Sequence, residues 1–207
     1  MPGKIEAVHH TLADWDFQFG ATYRSLSADT FISAPTSLKY SNCPVGWGNE
    51  VLCRIPATLN LPQGEMRGWF QTTKNHITTA VFRDQSPLGT APFQNCYYVL
   101  VYLGEARLTR LINGVGPPVD TTPCYLAFNE WIHYRTVWYN GMTPGEEEAL
   151  CVDVYVEVAG EWIKQGDTLY HTANSWKDSE INRCGFYVQL SSGMTRYFDD
   201  TEIWGPV

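Results

Sequence analysis

Alternating apolar and polar residues are the main pattern in this sequence, and they predict β-strands. Between residues 151 and 158, valines occupy every second position, and Cys151, Asp153, Tyr155 and Glu157 lie between them. A period of two residues is typical of a strand with one buried and one solvated face. The valine face is therefore predicted to lie in the core. The opposite face carries the longest polar and aromatic row of any predicted strand.

The final strand is predicted over residues 195–205, where aromatic and β-branched residues surround Asp199 and Asp200. Two adjacent carboxylates do not suit a plain core strand, because burying unpaired charge costs free energy. We expect either that they lie at a solvated end of the strand, or that a cation and backbone donors from another part of the chain hold them. This segment is also predicted to close the fold against the beginning of the chain.

Further strands follow from the same pattern. They are predicted at residues 11–20, 34–40, 51–55, 66–71, 77–82, 96–103, 106–111, 130–139 and 185–190. Turns are predicted at Gly104-Glu105 and Asn140-Gly141, and the Gly- and Pro-rich segment 113–118 is expected to be an exposed loop. Roughly a dozen strands and no long helix or internal repeat predict one all-β domain over residues 1–207, a sandwich or a barrel.

Composition narrows the class of partner. The formal net charge is −8 and the pI is about 5.0, with few and scattered Lys and Arg residues, so nucleic acid is an unsuitable partner. No apolar run approaches the roughly 20 residues of a membrane-spanning helix. The N-terminal residues lack the apolar core of a secretory signal. We therefore expect a soluble protein without a visible export signal.

The six cysteines contain no C-x-x-C pair, which argues against a zinc or thioredoxin-type motif. Cys43 and Cys53 flank a turn-like segment and are predicted to form a disulfide. The other four cysteines leave two alternatives, further disulfides or buried free thiols that pack as small apolar residues.

Several motifs occur in an order that resembles the concanavalin A-like lectin/glucanase jelly rolls and the related carbohydrate-binding modules. They are WDFQFG (15–20), APTSLKYS (34–41), EWIHYR leading to VW (130–138), the strand at 152–162, GF (185–186) and YFDDTEI (197–203). The resemblance spans nearly the whole chain. It implies an antiparallel jelly-roll β-sandwich whose two sheets pack face to face, one of them concave.

The resemblance also implies a cofactor. Many carbohydrate-binding jelly rolls hold a structural Ca²⁺ between an acid near the N-terminus and an Asp in the closing strand, and Ca²⁺ takes six to eight oxygen ligands. Asp14 or Asp16 matches the first position, and Asp199 or Asp200 matches the second. The alternative is that these acids cap turns or face water.

A carbohydrate site needs flat aromatic surfaces for the C–H faces of the sugar and polar groups for its hydroxyls. Candidates outside the obvious core rows combine four aromatic and four polar side chains, namely Trp47, Tyr155, Tyr170, Trp176, Asp153, Glu157, His171 and Asn174. The alternative for each aromatic residue is packing in the core or anchoring of a loop.

Catalytic signatures are incomplete. Glucanases of this fold carry Glu-x-Asp-x-(x)-Glu on one strand, but here Cys151 stands at the first position. Asp153 and Glu157 are four residues apart, roughly 13 Å along a strand, which is too far for a retaining pair of carboxylates. His133, Tyr134 and Arg135 offer lyase-type groups but suit an ordinary framework strand.

The sequence therefore predicts a non-catalytic module for binding or display, with a glycan or polysaccharide as its ligand. One alternative is a structural or decoration protein that contacts other subunits of a virus particle or surface assembly. A second is a weak polysaccharide hydrolase or lyase. The expected location is extracellular or at a particle surface.

Overall fold

The computed structural model describes residues 4–8, 16–17, 24–33, 35–41, 50–54, 60–73, 76–86, 94–127, 129–189 and 194–206. This part of the chain is all-β and contains sixteen strands and no helix. Accordingly, it holds no helix that is long and apolar enough to cross a bilayer.

The strands form two antiparallel sheets. They are β1 (Lys4–Val8), β2 (Asp16–Phe17), β3 (Arg24–Ser27), β4 (Ser37–Tyr40), β5 (Glu50–Arg54), β6 (Gly64–Thr72), β7 (His76–Asp84), β8 (Cys96–Tyr102), β9 (Glu105–Leu111), β10 (Pro118–Pro123), β11 (Ile132–Met142), β12 (Glu148–Val158), β13 (Glu161–Lys164), β14 (Leu169–His171), β15 (Arg183–Gln189) and β16 (Arg196–Trp204). The nine-stranded sheet has the order β13-β12-β11-β6-β16-β4-β3, with β1 paired to β16 and β14 paired to β12. The seven-stranded sheet has the order β10-β9-β8-β7-β15-β5-β2. The predicted antiparallel two-sheet architecture is confirmed.

The core lies between the two sheets, because each strand turns alternate side chains inward. The centre is aromatic: Phe82 of β7 stacks on Trp138 of β11 at 5.0 Å and on Tyr97 of β8 at 5.9 Å. Val152 and Val154 of β12 are buried in the same cluster and Val156 packs against it, as predicted for the valine face. The prediction is wrong for Val158, which is 56% exposed at the end of the strand. The strand β12 thus has one buried face and one face turned away from the other sheet.

The closing strand joins the beginning of the chain to the middle of the larger sheet. β16 pairs with β6 and β4, and its second half pairs with β1, where Val8 lies opposite Thr201. The predicted closure by the C-terminal segment is therefore confirmed. Of the strand predicted at 11–20, residues 16–17 form β2 in the other sheet, and the remainder lies outside the described residues.

The turn predicted at Asn140-Gly141 is wrong. Both residues continue β11, where Asn140 pairs with Leu150 and Gly141 pairs with Ala149. A Cβ atom on Gly141 would lie 2.7 Å from the Cys151 sulfur, so the glycine is required by close packing and not by a turn.

The real connection between β11 and β12 is polar. The Thr143 hydroxyl accepts hydrogen bonds from the backbone N–H groups of Gly145 and Glu147 at 3.2 Å each.

The segment expected to be a loop at 113–118 leads into β10, an edge strand of the smaller sheet. Prolines are tolerated there, since an edge strand leaves backbone donors unpaired.

Four cysteines are buried free thiols, namely Cys96, Cys124, Cys151 and Cys184. This resolves the two alternatives for these residues in favour of the free thiols. Burial raises the pKa of Cys124 to about 12 and also raises the pKa of Cys184. The Cys43–Cys53 disulfide stays a prediction, because Cys43 and the side chain of Cys53 lie outside the described part of the chain.

Alkylation of the unfolded, unreduced protein tests that disulfide. With Cys43 and Cys53 paired, iodoacetamide in urea should modify the four free thiols, and intact mass should show four adducts. Prior reduction should give an adduct at each of the six cysteines. Six adducts without reduction would contradict the pairing.

Phe82→Ala tests the aromatic centre of the core. Removal of this fully buried ring should lower the free energy of unfolding by about 3–5 kcal/mol, because the sheets cannot close fully over the cavity. Urea unfolding followed by tryptophan fluorescence gives the measurement. The control Val115→Ala, at an exposed position, should change the free energy of unfolding by less than about 0.5 kcal/mol. Equal effects of the two substitutions would contradict this account of the core.

Candidate functional site

The outer face of the nine-stranded sheet, the face turned away from the seven-stranded sheet, gathers aromatic and charged side chains into rows. Strand registers align these side chains across neighbouring strands. The aromatic row contains Trp162, Glu157, His133, Trp69 and Asp199. The arginine row contains Lys164, Tyr155, Arg135, Arg67 and Glu202. The third row contains Asp153, Val137, Glu65 and Trp204.

Side chains of the aromatic row are stacked on one another. The rings of Trp69 and His133 are 4.4 Å apart and nearly parallel, with an interplanar angle of 6°. Trp162 contacts the same histidine at 4.7 Å and 53°. His133 Nδ1 is hydrogen-bonded to Glu157 Oε2. These four side chains are partly exposed, so aromatic rings and a carboxylate of the row are accessible to solvent.

The arginine row is organised by a buried carboxylate. Glu65 is fully buried, and each of its oxygens receives one guanidinium. Arg135 donates from Nε and Nη2 at 2.8 and 2.6 Å, and Arg67 donates from Nε and Nη2 to the other oxygen. A buried carboxylate needs such partners, because desolvation of an unpaired charge costs several kcal/mol.

Aromatic rings fix the orientation of both guanidinium groups. Arg67 lies over the Trp204 ring at 4.2 Å, and Arg135 lies over the Tyr155 ring at 5.2 Å. The arginine side chains are 22% and 20% exposed, respectively. Their edges therefore reach solvent while their planes are packed.

Asp153, at one end of the third row, is held by donors from neighbouring residues. It accepts hydrogen bonds from Thr168 at 2.8 Å and Tyr139 at 3.3 Å, and it forms an ion pair with Lys164 at 2.7 Å. Burial, together with this neighbouring carboxylate, raises the pKa of Tyr139 to about 12. The carboxylate is thus surrounded by donors, and Tyr139 remains a neutral phenol that can donate.

The structure brings four of the predicted site residues together. Asp153, Tyr155 and Glu157 lie on the outer face, and Tyr170 of β14 lies at its margin, paired with Cys151. The predicted residues on the polar face of β12 therefore belong to one continuous surface. Glycan binding by these residues stays a prediction.

His171, Asn174 and Trp176 lie elsewhere, against the end of the core. Tyr97 hydrogen-bonds to His171 Nδ1 at 2.7 Å, and its ring packs edge-on against Trp176 at 5.4 Å. Asn174 Oδ1 accepts a 2.6 Å hydrogen bond from Nη1 of Arg83.

Arg83 is the buried cation of this second group. Burial lowers its pKa to about 10, and its guanidinium donates to neutral oxygens, including Asn140 Oδ1 at 2.7 Å. The contacts of His171, Asn174 and Trp176 anchor a loop and do not join the outer face. A glycan role for these three residues stays a prediction, and Trp47 lies outside the described residues.

Sequence reasoning missed most of the outer face, which includes Glu65, Arg67, Trp69, Trp162 and Trp204, and it assigned His133 and Arg135 to the framework. One signal was present. In β6, Glu65, Arg67 and Trp69 alternate with buried residues, as expected of a strand with a functional outer face.

The acidic doublet is held by the chain itself. Asp199 Oδ2 accepts the backbone N–H groups of Ile32 at 2.8 Å and Ser33 at 3.1 Å, and Asp200 Oδ1 accepts the Ser33 hydroxyl at 2.6 Å. Amide donors cannot coordinate Ca²⁺, which requires six to eight oxygens. The backbone N–H groups that hold Asp199 therefore supply no calcium ligands.

The described part of the chain contains no group of three or more His, Cys, Asp or Glu side chains that could hold a metal ion. The side chain of Asp16 lies outside that part. A calcium site formed by Asp16, Asp199 and Asp200 stays a prediction.

Comparison with known proteins identifies the fold. No family model matches the sequence, and no curated protein matches it. The structure is similar to a Bacillus subtilis protein of unknown function with a galectin-like fold (TM-score 0.56, 11% identity, 100% of both chains covered). It is also similar to the exoplasmic/lumenal domain of VIP36 bound to Ca²⁺ and Man3GlcNAc (TM-score 0.56, 12% identity, 97% of this chain and 88% of that chain).

A third similar structure is the conserved carbohydrate esterase from Shiga toxin-encoding bacteriophage phi24B (TM-score 0.55, 10% identity, 100% of both chains covered). Identities this low show the fold alone. The chain has the concanavalin A-like jelly-roll fold, which is shared by lectins and by carbohydrate-active enzymes.

Glu65→Gln tests the centre of the outer face. The substitution leaves two guanidinium groups around a neutral amide and should lower the free energy of unfolding by about 3 kcal/mol. Glu105→Gln is the matched control, since Glu105 is also two residues before an arginine but is 47% exposed. Glu105→Gln should lower the free energy of unfolding by less than about 1 kcal/mol, measured in the same urea titration. Equal losses would show that Glu65 has no special structural role.

Proposed function

We propose that the outer face of the nine-stranded sheet binds a carbohydrate and that the protein is a non-catalytic binding module. The observation that carries this proposal is the position of Trp69, Trp162 and Trp204, which are partly exposed on one solvent-facing surface among charged side chains. Large aromatic residues ordinarily contribute their area to the core. Sugars combine apolar C–H faces with hydroxyl groups, so aromatic rings beside charged donors and acceptors suit them.

The size of the surface favours an oligosaccharide over a single sugar. The aromatic row crosses five strands, and four strand spacings of about 4.8 Å correspond to about 19 Å. The rings and the arginines are held in place by stacking and by Glu65. A ligand would therefore meet an arranged surface and would not have to order it.

The similar structures support the proposal only through the fold. VIP36 is described with a mannose-containing glycan, and the phage protein is described as a carbohydrate esterase. Both show that this fold occurs in proteins that recognise carbohydrates. The proposal for this chain depends on its own outer face.

The partners of the carboxylates on the outer face support a non-catalytic role. Hydrolysis with retention needs two carboxylates about 5 Å apart, one of which must donate a proton. Here Asp153 is paired with Lys164, and Glu157 is paired with His133. Each carboxylate is thus engaged with its own partner.

Affinity gel electrophoresis against a panel of soluble polysaccharides tests the binding role. Trp162→Ala should weaken retention by about tenfold, equivalent to about 1.4 kcal/mol, through loss of a stacking surface. Tyr125→Ala is the control, because Tyr125 is 78% exposed and follows β10, away from the outer face. Equal retention of both variants would contradict binding at this face.

Two other results would support the alternatives. A stable oligomer or co-purification with particles, without retention by any glycan, would indicate a structural protein of a surface assembly. His133 beside Glu157, with Arg135 in the next row, is the arrangement that favours a lyase or hydrolase. New reducing ends or unsaturated products that disappear in His133→Ala would show that activity and overturn the non-catalytic assignment.

A further inference from the structure

Charge on the outer face differs from charge on the whole chain. The three rows, with Lys4 added because it pairs with Glu202, contain four cations: Lys4, Arg67, Arg135 and Lys164. The rows also contain five acids: Glu65, Asp153, Glu157, Asp199 and Glu202. The rows therefore hold one more acid than cations before His133 is counted, so they are much closer to neutral than the whole chain, whose net charge is −8. An anionic ligand is repelled less here than by the rest of the chain.

Positive charge is concentrated within this surface. Lys4 pairs with Glu202 at 3.0 Å, and Lys164 pairs with Asp153 at 2.7 Å, so each of these lysines has its own acid. Arg67 and Arg135 share the single carboxylate of Glu65. The arginine pair therefore carries one charge more than its buried partner neutralises.

The free edges of the two guanidinium groups point to the kind of group they would bind. A guanidinium has five N–H donors, and Glu65 receives donors from Nε and Nη2 of each arginine. The Nη1 groups have no acceptor among the described residues. A planar guanidinium edge matches a carboxylate better than a single hydroxyl, because it donates two parallel hydrogen bonds.

The neighbouring row supplies the surface for the rest of such a ligand. On one face of a strand, successive side chains are about 6.8 Å apart, so the aromatic row lies that far from the arginine row. Trp69 and Arg67 are neighbours of this kind on β6, and His133 and Arg135 are neighbours on β11. A sugar ring against the aromatic row can therefore direct a substituent to the arginines.

We propose that the ligand is a polysaccharide containing uronic acids and that Arg67 and Arg135 receive a sugar carboxylate. This inference rests on the proposed carbohydrate-binding function and specifies its ligand class. The sugar ring lies against Trp69, His133 and Trp162, and the carboxylate compensates the second guanidinium charge. Glu65 acts as a positioning residue that holds both arginines beneath the ligand.

Polygalacturonate and its highly methyl-esterified form are the decisive pair of probes, because they share a backbone and differ in carboxylate charge. Affinity electrophoresis and calorimetry with the intact protein should show at least tenfold tighter binding of the acid form. Binding should weaken as NaCl increases, since the interaction is partly exposed. Alginate and hyaluronan extend the test to other uronates.

Arg135→Gln and Arg67→Gln should each weaken binding of the acid form by about tenfold and reduce its preference over the methyl-esterified form. Arg107→Gln is the matched control: Arg107 is two residues after Glu105, pairs with it at 3.0 Å and lies over Tyr102 at 5.1 Å, but belongs to the other sheet. It should bind as the unaltered protein does. Arg135→Lys, which keeps the charge and loses the planar edge, should also bind weakly while its urea midpoint stays close to that of the unaltered protein.

The outcomes separate this inference from the proposed function. Equal binding of the acid and methyl-esterified forms, or binding of neutral glycans alone, would overturn carboxylate recognition and leave carbohydrate binding intact. Dextran sulfate bound as tightly as polygalacturonate, and with the same dependence on both arginines, would overturn the preference for carboxylate over sulfate. An equal loss of binding in Arg107→Gln would show that the total charge of the protein causes the effect, which would overturn a specific role for Arg67 and Arg135. Retention by no glycan of either panel would overturn both proposals.

Discussion

The pairing of β11 with β6 on one side and β12 on the other fixes both faces of the large sheet at once. Inward positions place Tyr134 and Trp138 in the core, and the positions between them place His133 and Arg135 on the outer face. A shift of one residue in either register would exchange these two sets. Burial of the aromatic core therefore also determines which charged side chains meet on the opposite surface.

The outer face depends on contacts between residues that are distant in sequence. Glu65 and Arg135 are 70 residues apart and meet because β6 and β11 are neighbours. Trp162 reaches His133 across β12, and Trp204 reaches Arg67 through the closing strand. The core drives the formation of these strand pairs, and the ion pairs gain their fixed geometry from it.

Local pattern was sufficient to predict much of the fold. The alternation in β12, the hairpin of β8 and β9 and the closing strand β16 all follow from nearby residues. Asn140-Gly141 has the composition of a turn, but the packing of Cys151 over Gly141 decides its structure. β10 was missed because its prolines suggest a loop, and its edge position makes them acceptable.

The site was harder to predict, because residue type does not reveal which side of a sheet a side chain occupies. Trp162 and Trp176 have similar polar neighbours in sequence, yet one lies on the outer face and the other packs against Tyr97. The paired arginines could not be recognised without the register that joins them to Glu65. For the acidic doublet, the sequence left open a solvated strand end or a cation with backbone donors from elsewhere in the chain. Ile32 and Ser33 supply such backbone N–H groups to Asp199, and the cation stays a prediction.

The parallel stacking of Trp69 on His133 has a consequence for evolution of this surface. Each ring restricts the rotamers of its neighbour, so replacing one residue also changes the freedom of the others. New specificities are therefore more readily reached by changing the margins, such as Tyr170 or Lys164, than by altering the stacked centre. The middle of the sheet is expected to vary as a unit, while its borders vary independently.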